Sequence, residues 1–216
     1  KSRAELEKAL KEAELKALQS QINPHFLFNT LNTISRLALL EGADKTQEVV
    51  FALAELLRGS LRRVGQTAPL KDEINYVRNY LLIQQTRFRD RVKVEFDIDE
   101  SCLDTEIPLL TLQPLVENAI VHGLEPKEEG GQLWIRALKL GHQVQIEVVD
   151  NGLGMPSEVV EEITKLDLVR SGRTHLTGIG VSNVYKRLQY HFGQDYRWEV
   201  HSKLGQGTRI TIYLPY

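Results

Sequence analysis

Leu115-Val-Glu-Asn-Ala-Ile-Val-His-Gly123 is an apolar stretch in which polar side chains recur at helical spacing. On a helix, Asn118 and His122 are four residues apart and share one face, with Glu117 beside them. An amide oxygen suits Mg²⁺, which usually keeps several waters and also binds phosphate oxygens. Taken alone, the stretch is equally well read as the polar end of an ordinary helix, because helical periodicity often produces such clusters.

Three glycine motifs follow this stretch along the chain. Asp150 ends an alternating apolar segment, where its carboxylate can accept a hydrogen bond from an amino group such as that of adenine. Nearby glycines let the backbone approach a ligand closely, and glycines before a helix expose N–H groups that bind phosphate. Each motif taken alone is also ordinary turn chemistry. The motifs are Asp150-Asn-Gly152-Leu-Gly154, Thr177-Gly178-Ile-Gly180 and Gly205-Gln-Gly207-Thr208.

A polar segment, residues 155–176, separates the first two of these motifs and contains Arg170 and Arg173. Such a segment can close over a ligand as a lid. The alternative interpretation is a solvated surface loop. Lys186 and Arg187, on the helix that follows, are expected to be surface charges.

Composition excludes several classes of protein. The chain has 216 residues, 42% of them hydrophobic and 26% charged, which is typical of a globular protein. The net charge of −2 provides no basic excess for nucleic acid, so we expect no such partner. A single cysteine, Cys102, excludes a disulfide framework and a cysteine-rich zinc site. No apolar run reaches the roughly 18 residues that cross a bilayer. The first residue is Lys1 rather than Met, and we expect a longer protein.

The pattern of apolar residues divides the chain near residue 90. Before this point, apolar residues recur every three or four positions. This predicts helices over about 25–40, 45–64 and 70–87, after an initial helix that Pro24 ends or kinks. After it, alternation predicts about five strands, around 92–98, 133–135, 144–148, 200 and 210–214. Further helices are predicted over 112–122, 157–166 and 181–192. The sequence therefore predicts an α+β protein without regular βαβ alternation.

The order of the four motifs resembles the nucleotide-binding boxes of the GHKL ATPases, which include gyrase, a heat-shock chaperone family, histidine kinases and MutL. The resemblance implies a Bergerat-type α/β sandwich that binds ATP and Mg²⁺ under a mobile lid. It implies that Asn118 holds Mg²⁺ and that Asp150 binds the adenine amino group. The other nucleotide contacts expected from it are His122, Gly152, Gly154, Arg173, Thr177, Gly178, Gly180, Gly207 and Thr208.

Gln19-Ser-Gln-Ile-Asn-Pro-His-Phe-Leu-Phe-Asn29 resembles the phosphoacceptor box of LytS/YesM-type sensor histidine kinases. The resemblance implies that His25 accepts phosphate from ATP and passes it to an aspartate on a response-regulator receiver domain. It also implies a homodimer in which two helical hairpins form a four-helix bundle. The expected organisation is a signalling linker helix over 1–17, a helical dimerisation and phosphotransfer region over 18–90, and an ATP-binding domain over 91–216.

The same resemblance implies that the full-length protein lies in the bacterial cell membrane. This part would then be cytoplasmic and would reach the membrane only through an N-terminal part missing from the sequence.

One departure from the pattern of many histidine kinases concerns proton transfer. Those proteins place an acidic residue directly after the phosphoacceptor, whereas Phe26 follows His25 here. Glu117 is the candidate base from another segment. Asn29 lies one helical turn after His25 and, by analogy with other histidine kinases, is a candidate for orienting water in dephosphorylation of the regulator.

Two alternatives remain open from the sequence. The first is a GHKL-type ATPase that forms no phosphohistidine and releases phosphate to water. The second is a degenerate, non-catalytic dimerisation module. The complete set of Asn118, Asp150 and glycine boxes argues against the second alternative.

Overall fold

The computed structural model describes residues 24–60, 66–165 and 179–216. The chain divides into two compact units, one ending at Leu57 and the other running from Arg58 to Tyr216. Several predicted features lie outside the described residues. They are the linker helix over 1–17, the first part of the phosphoacceptor box, the lid residues 166–176, and the candidate contacts Arg173, Thr177 and Gly178.

The described part of the first unit belongs to a helical hairpin. Helix α1 spans Pro24–Leu40 and helix α2 spans Asp44–Ser60. Pro24 is the first residue of α1, as expected from a ring that fixes a helical φ and lacks a donor. The turn closes by a hydrogen bond from the Ala43 N–H to the Ala38 carbonyl at 2.8 Å. The predicted hairpin is therefore present, and the predicted end of α2 near residue 64 lies outside the described residues.

The second unit begins with a short ribbon and a long helix. Strand β1 (Thr67–Pro69) pairs antiparallel with β3 (Glu106–Pro108). Helix α3 spans Leu70–Phe88, close to the predicted range. The ribbon was not predicted, because three residues are too few to show alternation. Short 3₁₀ helices follow at Arg89–Arg91 and Glu100–Cys102.

A five-stranded mixed sheet forms one layer of this unit. Its strands are β2 (Val92–Ile98), β4 (Gly131–Leu140), β5 (Gln143–Asp150), β6 (Arg197–Lys203) and β7 (Gly207–Pro215). Their spatial order is β2-β4-β5-β7-β6, with β2 parallel to β4 and the other neighbours antiparallel. The five predicted strands are thus confirmed, and Gly141 and His142 form the predicted turn between β4 and β5.

Helices cover the apolar face of the sheet. They are α4 (Leu112–Asn118), which continues as a π-helical segment over Ala119–Leu124, α5 (Ser157–Lys165) and α6 (Ile179–Phe192). Alternate residues of the central strands, such as Ile135, Ile146 and Ile212, are almost fully buried in one core with Leu115 and Leu188 of the helices. The predicted α+β sandwich is confirmed. In the described ranges, no helix has both the length and the apolar character needed to cross a bilayer.

Candidate nucleotide-binding site

Strand pairing brings two of the predicted motifs together at one end of the sheet. Asp150 is the last residue of β5 and pairs with Thr208 on β7. Because side chains alternate along a strand, Asp150 continues the buried face begun by Val144, Ile146 and Val148. Asp150 is only 6% exposed and Thr208 only 8%. The carboxylate therefore lies at the edge of the core rather than in solvent.

The surroundings of Asp150 determine its charge. Burial raises the pKa of its carboxyl to about 6, against the backbone N–H groups of Gly152 and Thr208 and the charge of Lys127, which lower it. The Gly152 N–H donates to Asp150 Oδ1 at 2.8 Å. At neutral pH the group is therefore mostly ionised, and it is a strong acceptor in a poorly solvated position.

Glycines make the close approach of the motifs possible. A Cβ atom on Gly152 would overlap the backbone carbonyl of Gly123, and one on Gly123 would lie 2.8 Å from Asp150 Oδ1. Gly207 has a φ of +92°, and a Cβ there would overlap the Asp150 carbonyl. Gly154 likewise approaches the Lys203 backbone. These glycines serve contacts between backbone segments, in addition to any approach to a ligand that the sequence predicts.

The segment carrying Asn118 differs from the regular helix predicted over 112–122. Asn118 ends α4, and the following residues to Leu124 form a π-helical turn, a feature often found at functional sites. Asn118 and Glu117 are half-buried, whereas His122 is exposed. Glu117 accepts a hydrogen bond from Gln113 Nε2 at 2.7 Å. The π turn ends beside Asp150, since Gly123 is the residue that approaches its carboxylate.

A cavity of about 440 Å³ opens beside Asp150 and Thr208. This volume lies within the range of roughly 300–1,000 Å³ typical of small-molecule sites. Val160 of α5 and Val200 of β6 contribute apolar wall, and Lys203 contributes a cation. A cavity that combines two valine side chains with one buried carboxylate acceptor can receive a flat heterocycle that carries an amino group. Asn118 and His122 do not line this cavity.

Ser202, which the sequence did not single out, connects the first and last glycine motifs. Its Oγ accepts from the Met155 N–H at 2.8 Å, donates to the Gly207 carbonyl at 3.0 Å and lies 2.9 Å from Thr208 Oγ1. Lys127 was missed in the same way, and its Nζ donates to the Asn151 carbonyl at 2.8 Å. Both contacts depend on strand register and loop placement, which no local sequence signal encodes.

Arg187 corrects one prediction. It is half-buried rather than a surface charge, and its Nη1 donates to the carbonyls of Leu109 and Leu110 at 2.7 and 2.5 Å. The sequence did not reveal this contact, because Arg187 occupies a helix position that the apolar pattern predicts to face solvent.

The candidate phosphoacceptor lies in the first unit. His25 is exposed, in the first turn of α1, and Asn29 Nδ2 lies 3.4 Å from each of its ring nitrogens. Phe26 beside it is 69% exposed. The predicted spacing of one helical turn between His25 and Asn29 is therefore realised as a side-chain contact.

The predicted Mg²⁺ has a donor set that fits its chemistry. Among the described residues, no group of three or more His, Cys, Asp and Glu side chains could hold a metal ion. Mg²⁺ is usually held by one or two protein oxygens together with substrate phosphates and waters. The half-buried Asn118 amide can supply such a single oxygen. Gly180, in the first turn of α6, is exposed.

Two family models match the chain. The model described as histidine kinase matches residues 13–92, and the one described as histidine kinase-, DNA gyrase B- and HSP90-like ATPase matches residues 104–216. The second match alone covers more than half of the chain.

Named relatives extend this likeness over nearly the whole sequence. The sensor histidine kinase YesM of Bacillus subtilis is 41% identical over 206 residues, which are 95% of this chain and 34% of YesM. The sensor protein LytS of the same organism is 37% identical over 214 residues, which are 98% of this chain and 35% of LytS. The chain thus spans about a third of the length of the curated relatives it matches.

Solved structures agree at the level of the fold. The nucleotide-free catalytic domain of the histidine kinase ThkA superposes with a TM-score of 0.52 at 19% identity. The match covers 69% of this chain and 97% of that domain.

Proposed function

Because the chain belongs to the histidine kinase-, DNA gyrase B- and HSP90-like ATPase family, as a histidine kinase of the LytS/YesM type, we propose that it phosphorylates itself on His25 with Mg-ATP. The phosphoryl group then passes to an aspartate of a response-regulator receiver domain. The observation that carries this proposal is the buried Asp150 carboxylate, which lines a cavity of about 440 Å³. The match of a histidine kinase model over the segment that holds His25 supports this residue as the phosphoacceptor.

At the nucleotide, the ionised Asp150 accepts a hydrogen bond from the adenine amino group while Val160 and Val200 contact the ring. Asn118 would hold Mg²⁺ through its amide oxygen, and the ion would offset the negative charge of the ATP phosphates. His122 is assigned a phosphate contact in this proposal, and its position on the π turn that follows Asn118 supports that role. Gly152, Gly154, Gly180, Gly207 and Thr208 form the backbone around the nucleotide in this proposal. The lid that covers the nucleotide in this proposal includes Arg173, Thr177 and Gly178, which lie outside the described residues.

At the phosphoacceptor, a neutral imidazole nitrogen of His25 attacks the γ-phosphorus. The new N–P bond forms as the bond to the ADP oxygen breaks, and the ring loses the proton on its other nitrogen. Glu117 is the proposed acceptor of that proton, supported only by its carboxylate beside Asn118. Asn29 holds the ring through its amide and is proposed to orient water for dephosphorylation of the regulator.

Exposed apolar side chains support a homodimer. Along α1 and α2 the described residues include many large apolar side chains in contact with solvent, which a lone hairpin would leave as an unusually large patch. Packing two hairpins into a four-helix bundle covers such side chains. The most exposed of them are Phe26, Leu37, Leu39, Leu40 and Phe51.

The domain roles follow the same proposal. Residues 1–17 relay a signal, 18–90 carry dimerisation and phosphotransfer, and 91–216 bind ATP. Relatives about three times as long as this chain support a further part that senses the signal. We propose a membrane location for that part and a cytoplasmic one for these residues.

Incubation with γ-labelled Mg-ATP tests the proposed reaction. The wild-type chain should acquire a label that acid removes, as a phosphoramidate requires. His25→Gln should acquire none, whereas His142→Gln, a change in the exposed β4–β5 turn, should label normally. Phosphate released at equal rates by wild type and His25→Gln, with no label on either, would instead identify a plain ATPase. Absence of both label and release would favour the non-catalytic module.

A further inference from the structure

A buried carboxylate outside the predicted site holds the start of the helix that carries Asn118. Glu73, on α3, is only 4% exposed. Its Oε1 accepts from the Leu110 N–H at 2.8 Å, and its Oε2 accepts from the N–H groups of Thr111 and Leu112 at 2.9 and 3.0 Å. One side chain thereby satisfies two N–H groups at the start of α4, those of Thr111 and Leu112, which a helix cannot satisfy internally. It also accepts from Leu110, just before the helix.

The ionisation of Glu73 reflects this arrangement. Burial raises the pKa of its carboxyl, while four backbone N–H groups, those of residues 110–113, lower it. The carboxylate is thus held by oriented backbone dipoles rather than by water. A buried acceptor of this kind is costly to leave unsatisfied, so its partners are fixed in position.

Arg187 holds the same segment from the opposite direction. While Glu73 receives the N–H groups, the Arg187 guanidinium donates to the carbonyls of Leu109 and Leu110. Burial lowers the pKa of Arg187, and the charge of Glu73 opposes that change. Side chains from α3 and α6 therefore bind both the N–H groups and the carbonyl groups of one short backbone segment, residues 109–112.

The backbone segment bound by Glu73 and Arg187 includes a residue in an unfavourable conformation. Leu110 has a φ of +63°, in the left-handed region that a side chain with a Cβ disfavours. Such residues persist where the surroundings over-determine them, and they cluster at functional sites. Loss of the Glu73 and Arg187 contacts would remove most of the side-chain hydrogen bonds that hold this turn, and a shift of the turn would alter the direction of α4.

A change in the direction of α4 would affect the proposed nucleotide site, because this helix carries Asn118. Asn118 is the last residue of this seven-residue helix, so a tilt at Leu112 displaces it. Asp150 and Thr208, by contrast, are fixed by strand pairing within the sheet. Gly123, which follows on the π turn and approaches Asp150, is held separately, because the Leu153 N–H donates to its carbonyl at 3.0 Å. The contacts of Glu73 and Arg187 therefore bear mainly on the Mg²⁺ and phosphate end of the site.

We propose that Glu73 and Arg187 are positioning residues that orient the Asn118 helix for binding of the metal-phosphate group of ATP. This inference rests on the proposed function, because it assumes that Asn118 faces Mg-ATP. Loss of an outer contact that orients a metal ligand typically costs about 10- to 100-fold in affinity or activity.

The test compares two ligands on one set of variants. Titrations with Mg-ATP and with adenosine, which carries only the adenine end, are made on wild type, Glu73→Gln and Glu147→Gln. Glu147 is the matched control, a buried carboxylate on β5 that lies near Arg136, Arg209 and Thr211. Glu73→Gln should weaken Mg-ATP about 10-fold or more and leave adenosine affinity unchanged. Glu147→Gln should change neither affinity.

Arg187→Met provides a second variant if Glu73→Gln does not fold, and it should show the same selective loss. If Glu73 has a merely structural role, Glu73→Gln should lower the melting temperature and change the affinities for Mg-ATP and adenosine by the same factor. That result would overturn the inference and leave the proposed function standing. If wild type binds neither ligand, the proposed function itself fails, and the inference fails with it.

Discussion

Asp150 illustrates how strand periodicity determines the chemistry of one residue. The alternation that buries Val144, Ile146 and Val148 also buries the side chain two positions later, where the strand ends. Burial destabilises the ionised carboxylate and raises the pKa of Asp150 to about 6, while adjacent N–H groups stabilise the charge. The carboxylate is therefore still an acceptor at neutral pH. The alternation that places Asp150 at a strand end thus makes it a buried acceptor, which supports the adenine contact proposed for it.

The raised pKa of Asp150 predicts opposite effects of pH on binding and on stability. Since protonation removes the acceptor, adenosine affinity should fall about 10-fold as the pH is lowered from 7 to 5. Adenosine is the appropriate ligand because it carries no phosphate that titrates in this range. Calorimetric titration between pH 5 and 8 measures the effect, and Asp150→Asn should bind weakly with no such dependence.

The stability effect has the other sign. The folded carboxyl has a pKa of about 6, against 3.8 for an ordinary aspartate, so it binds its proton more tightly than the unfolded chain does. The contribution of Asp150 to the free energy of unfolding therefore increases as the pH falls from 6 towards 4. Relative to Asp150→Asn, the ligand-free wild type should gain stability over that window. A wild-type adenosine affinity that is constant down to pH 5 would contradict the assigned role.

At the scale of elements, the long periodic segments were predictable and the short or irregular ones were not. The five strands and the helices α1, α3 and α6 follow from runs of apolar residues long enough to show a period. The ribbon of β1 and β3 has three residues a strand, and the π turn after Asn118 has the same apolar pattern as a helix. Periodicity carries no information about either feature.

Within the candidate site, too, residues in local motifs were predictable and contacts between different elements were not. Asp150, Gly152, Gly207 and Thr208 were predictable because each lies in a short local motif, and the structure brings them together. The contacts of Ser202, Lys127, Glu73 and Arg187 join residues from different elements. These contacts are set by register and by packing of helices, so they become visible only in the fold.

At the scale of the whole molecule, two units divide the chemistry. The first carries His25 on an exposed helical turn, and the second carries the cavity proposed to bind the nucleotide. Exposed apolar side chains on α1 and α2 support the proposal that the first unit also carries the dimer surface.

The homodimer can be tested by disrupting that surface. The chain of 24.6 kDa should elute with about twice its mass in light-scattering chromatography. Ile34→Glu combined with Leu37→Glu should yield monomers, because the charges would be buried at the interface. Leu204→Glu is the control, since Leu204 is 62% exposed in the turn between β6 and β7. A monomeric wild type at tens of micromolar, or a dimeric double variant, would argue against the bundle.

The base specificity of nucleotide binding tests the central proposal most directly. Inosine triphosphate replaces the 6-amino group of adenine with a carbonyl, which the Asp150 carboxylate would repel rather than accept. Calorimetric titration should show wild type binding Mg-ATP at least about 100-fold more tightly than Mg-ITP, because the buried acceptor is left unpaired by the analogue. Asp150→Asn, whose amide can also donate, should narrow that ratio, whereas Glu147→Gln should preserve it. Equal affinities of wild type for the two nucleotides would contradict adenine recognition by Asp150.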